Sequence, residues 1–143
     1  MIAHIFSVAY ATAKLNRQRA LHTMECDFAA NADFAAIAGC ARRAVDLLKK
    51  YDGTPLAFYC SQASALITGT AAAARDPGAT VTERCVAAAE IHLGLLRLAM
   101  LGEHPSPHMS HGDVVRYRDE ILPGIIAAAE AVRRLFPAWA PPP

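Results

Sequence analysis

From Pro55 to Ala74 the chain reads PLAFYCSQASALITGTAAAA, twenty residues without a charged side chain. No other feature constrains the fold as much. Thr54-Pro55 opens the stretch as a helix start, with Thr as cap and Pro at the first position, where its missing N–H costs nothing. Asp76-Pro77-Gly78 closes it with a strong turn signal. Twenty such residues are long enough to cross a membrane. Ser61, Gln62, Ser64, Thr68, Gly69 and Thr70 nevertheless make the stretch too polar for a lone span. It is expected to be buried, either within the protein or in a subunit interface. Ala57, Ser61, Ala65 and Gly69 recur every four residues. They share one helix face, and a face without bulk lets a neighbouring backbone come close.

The flanking segments are also helical. From about Asn31 to Tyr51, Phe34, Ile37, Ala41, Ala44, Leu48 and Tyr51 fall on one stripe, with Arg42, Arg43, Asp46, Lys49 and Lys50 mostly opposite. Gly53 can take the left-handed conformation that ends a helix. Thr80-Val-Thr-Glu83 fits a capping box and starts a helix to about Leu101, stopped by Gly102. Ser110-His-Gly-Asp113 repeats the pattern. It opens a last helix through Val115, Ile121, Ile125, Ala129, Val132 and Phe136, kinked or split at Pro123. The first segment, 2–28, carries Ile2, Phe6, Ala9, Ala13, Ala20 and Met24 at helical spacing. A break near Ala30-Asn31 separates it from the next helix, unless the two run on as one.

With no period-two strand signal and no internal repeat, the fold class is all-α. The expectation is a single-domain helical bundle over 1–136, of four to five helices, with a Pro-rich tail over 137–143. A chain of 143 residues with 54% hydrophobic and 19% charged residues can fold without a disulfide or metal staple. Cys26, Cys40, Cys60 and Cys85 show no CxxC spacing and each lies in an apolar segment. They read as buried reduced thiols of a cytoplasmic protein. MIAHIFSVAYATA at the start has no Lys or Arg before its apolar run and is short, so it does not read as a signal peptide.

Chemistry-bearing residues are few. GEHPSPHMSHGD, residues 102–113, holds His104, His108 and His111. Imidazoles three or four apart can close on zinc, nickel or copper. Against this, two prolines keep His104 and His108 off a common helical face, and Asp113 belongs to the cap. The loop is expected first as a capped connection and second as a metal site. No cofactor is expected otherwise. His92 lies on the apolar face of its helix, as a core histidine or as a buried acid/base. Lys14, Arg17 and Arg19 in KLNRQR form the densest basic cluster, able to grip a phosphate, a nucleic acid or an acidic partner. The formal net charge of +1 removes the broad electrostatic case for nucleic acid.

Arg17-Gln-Arg-Ala-Leu-His22 resembles the Arg-x4-His motif of the HEPN ribonuclease family. The resemblance covers six residues and implies an all-α dimer in which Arg17 and His22 cleave RNA. That family carries its motif before its last helices, whereas here it stands in the first segment. Gly-rich phosphate loops, GxSxG, HExxH and EF-hand loops are absent. The leading expectation is therefore a bundle that acts by protein–protein interaction and self-association rather than by catalysis, away from membranes. A metal-binding bundle and a HEPN-like ribonuclease or nucleic-acid binder are the alternatives.

Overall fold

The computed structural model describes residues 33–135, and at 81 and 82 the backbone alone. The expectations for segment 2–28, the break near Asn31, Cys26 and the 137–143 tail lie outside these residues. Among the described residues the fold is all-α: α1 (Phe34–Lys49), α2 (Pro55–Arg75), α3 (Val81–Glu103), α4 (His111–Arg116), a π-helical turn (Tyr117–Ile121) and α5 (Leu122–Arg134). α1 packs on α2, α2 on α3, α3 on α5, and α5 back on α1, with α1 and α3 also in contact.

Local chemistry sets most boundaries. The amide of Ala36 donates to the Asp33 carboxylate at 3.0 Å, so Asp33 caps α1. Ile37, Ala41, Ala44 and Leu48 are buried along its inner stripe. Lys49 stands in the last turn, against the negative end of the helix dipole. Gly53 takes φ 82°, the left-handed stop. Thr54 departs from expectation. Its hydroxyl donates backward to the Tyr51 carbonyl at 2.6 Å and makes no cap bond to α2. The Thr80 and Ser110 hydroxyls do accept from the amides of Glu83 and Asp113, both at 3.1 Å.

The central helix is α3, not the charge-free α2. Ile91 through Leu96 are all buried, so α3 is covered on every side there. Leu93, Leu95, Leu96 and Leu98 point to different faces and each is buried, and fully burying such a side chain contributes about 1.5–3 kcal/mol. In contrast, α2 buries Leu56, Cys60, Ile67, Ala71 and Ala74 along one side and turns the other outward. Glu83–Glu103 is also the one helix, among the described residues, long and apolar enough to cross a membrane. Within the bundle 67% of its apolar window is buried, as a core helix requires.

Two glycines set the spacing of α3 against its neighbours. A Cβ on Gly94 would stand 2.7 Å from Ile67 Cγ1, so α2 and α3 meet there at close range. Gly102 does not stop α3, which continues to Glu103 with His104 as its C-cap. Gly102 is needed inside the helix because Leu122 packs on it, 2.7 Å from where a Cβ would be. The stop comes instead from Pro105, which disfavours helical geometry at His104, where φ is −124° and ψ 76°.

The last helix changes its hydrogen-bond ladder before Pro123. The Leu122 amide donates to Tyr117 O, five residues back, which defines the π turn. Pro123 then occupies the first turn of α5, where its missing N–H is harmless. In a continuous α-helix that proline would leave the Asp119 carbonyl without a donor and clash with it. The wider turn just upstream accommodates that defect.

Candidate interaction surface

The outward side of α2 has no charge from Pro55 to Ala74. Phe58, Ser61, Gln62, Ala65, Thr68, Gly69 and Ala72 are exposed along it. Phe58 is 76% exposed and stacks edge-on with Tyr59 at 5.6 Å. A large aromatic ring held in water at the end of an uncharged helix face marks a place where burial is still to be gained.

The Ser and Thr hydroxyls of this face are already satisfied. Ser61 donates to Phe58 O at 2.9 Å and Thr68 to Ser64 O at 2.8 Å. On its flank, Thr70 donates to Leu66 O at 2.8 Å. Because these hydroxyls have turned back onto their own helix, covering the face strands no hydroxyl donor. The sequence stripe of Ser61, Ala65 and Gly69 therefore faces solvent. Nothing lies within 4 Å of a Cβ built at Gly69. The close backbone approach that the stripe suggested occurs at Gly94 instead.

The sequence-marked residues are dispersed. His104, His108 and His111 are all exposed. His104 caps α3, the His108 amide donates to Ser106 Oγ at 3.3 Å, and His111 opens α4, while Met109 is buried beneath the loop. Among the described residues no three His, Cys, Asp or Glu side chains gather into a group able to hold a metal ion. Lys14, Arg17, Arg19 and His22 lie outside the described residues.

His92 is 8% exposed, and its Nδ1 is buried with no hydrogen-bond partner among the described residues. Burial, and then the positive charge of Arg133 on α5, pull its pKa down to about 4. The imidazole is therefore neutral at neutral pH.

One polar pair escaped sequence reading. Tyr117, 1% exposed, donates its hydroxyl to Leu98 O at 2.7 Å. The Cys60 side chain lies beside the Tyr117 hydroxyl. Burial pushes the Cys60 thiol up to about 11 and the Tyr117 phenol upward as well, so both are neutral and unreactive. Cys40, Cys60 and Cys85 are all buried and free of disulfides. On the surface nearby, Tyr51 donates to Glu120 at 3.2 Å, Arg116 pairs with the same carboxylate at 3.2 Å, and the Arg116 guanidinium sits 5.1 Å from the Tyr51 ring centre. These contacts fasten the π turn to the end of α1 and offer no open site.

No protein-family model, curated protein or solved structure matches the chain.

Proposed function

We propose that the protein is a cytoplasmic helical bundle that acts by protein–protein interaction, with the outer face of α2 as its docking surface. The observation that carries this reading is the charge-free exposed face led by Phe58. Aromatic residues are enriched at the centres of protein interfaces and charged ones are depleted there. Its Ser and Thr hydroxyls bond internally, so a partner covers the face without desolvating an unpaired hydroxyl. Cys40 and Cys60, buried as thiols, support a reducing compartment.

The test is site-specific photo-crosslinking in cells that express the protein naturally. A photoreactive residue at Gln62 should give discrete protein adducts, while one at Glu130, exposed on α5, should not. No adduct from Gln62, or the same adducts from both positions, would overturn the proposal.

A further inference from the structure

We infer that the partner on α2 is a second copy of this chain, packed antiparallel about a two-fold axis through Ala65. This rests on the interaction reading above and names its occupant. Ala65 stands midway between Pro55 and Arg75, so a two-fold axis there makes the whole helix self-complementary. Pairing about that point places Phe58 over the partner's Ala72, a large ring against a small residue, and Ser61 over the partner's Gly69. Both receiving positions are exposed and without bulk.

Charge favours this direction. Lys50 and Asp52 are exposed just before α2, and Arg75 and Asp76 just at its end. Antiparallel packing puts Arg75 and Asp76 at the same end as the partner's Lys50 and Asp52, where each charge has an opposite one to pair with. Parallel packing would set Arg75 beside Arg75. A net charge of +1 leaves little long-range repulsion between copies. With 21 residues, α2 offers a strip about 31 Å long. One helix pair of that length sits near the lower edge of stable interfaces, about 1,200 Å² in total, so the dimer should depend on concentration.

The test is sedimentation equilibrium of the full chain from about 1 to about 200 μM, a range that brackets a micromolar dissociation constant. Wild type should pass from monomer to dimer, and Ala65→Glu, which sets two carboxylates against each other on the axis, should weaken the dimer by about tenfold or more. At dilutions where wild type is monomeric, helical content and melting of Ala65→Glu should match wild type, because Ala65 is exposed. Under mild oxidation Ala65→Cys should link two chains rapidly and Gly69→Cys should not, since only the axial position meets itself. Monomer at every concentration, or a dimer indifferent to Ala65→Glu, overturns the inference. Equal linking by both cysteine variants overturns the antiparallel axis. Gln62 adducts that contain a different protein, found alongside a monomeric chain, would sink self-pairing while keeping the interaction reading. A dimer unaffected by Ala65→Glu, with no adduct from Gln62, would sink both.

Discussion

The Tyr117 hydroxyl reaches across from the π turn to the Leu98 carbonyl of α3, 2.7 Å away, inside the core. It is a buried polar tie between the last helical segment and the central helix. Replacing Tyr117 with Phe keeps the ring and removes the tie. The cost expected is about 1 kcal/mol, because one buried hydrogen bond is lost. Urea unfolding should show a lower midpoint with an unchanged slope.

His92 makes stability depend on pH. Its pKa is depressed to about 4 in the folded chain against 6.5 for an exposed imidazole. A depressed pKa means that the unfolded chain binds the proton first. The contribution is therefore fully present above pH 6.5 and is lost as pH falls towards 4. Between pH 7 and pH 5 the loss should be about 2 kcal/mol. His92→Leu should flatten that dependence, because the site is apolar and Nδ1 makes no bond there. Unfolding curves at the two pH values decide it, and an equal slope in wild type and variant would contradict the assignment.

Glycines in α2 and α3 should respond to alanine in opposite directions. At Gly94 the added methyl meets Ile67 at 2.7 Å and the Ala63 carbonyl at 3.9 Å, so the helices must part. Overpacking of this kind costs about 1–3 kcal/mol, more than the helix-propensity gain of about 1 kcal/mol. At Gly69 the methyl meets nothing within 4 Å. There only the propensity term acts, and the melting temperature of dilute, monomeric protein should rise.

The guanidinium of Arg118 donates to Gly102 O at 2.8 Å and so closes the end of α3. Arg118→Met keeps the apolar stem and removes the donor. A loss of about 1 kcal/mol is expected, with faster amide exchange confined to the last turn of α3.

How far these features were legible follows from their range. Gly53, Thr80 and Ser110 act on amides and dihedrals a few residues away, so local chemistry identified them. The identity of the central helix is a long-range property. The lack of charge in α2 suggested burial, but its outward positions are Ser, Gln, Thr, Gly and Ala, which water tolerates. α3 carries Glu90 and Arg97, yet its leucines face every direction. Phe58 read as one more apolar residue until its neighbours were placed. The π turn did leave a trace. The expected apolar stripe jumps from Val115 to Ile121, and the buried residue in that gap is Tyr117, while Val115 is 42% exposed. The self-pairing of α2 has no sequence signature beyond its symmetry of small residues about Ala65.

The wide turn at Tyr117–Ile121 also ties the chain's length to its proline. A five-residue hydrogen-bonded step inside a four-residue ladder holds one residue more than the α-helical turn it replaces. The exposed side chains of Arg118, Asp119 and Glu120 crowd that step, and Asp119 makes none of the ties that Arg118 and Glu120 make. A version of this chain shorter by one residue at Asp119 would run as unbroken α-helix only by setting Pro123 against the Arg118 carbonyl, the clash that the wide turn now relieves. The extra residue and the proline therefore form a matched pair, and neither should be lost without the other.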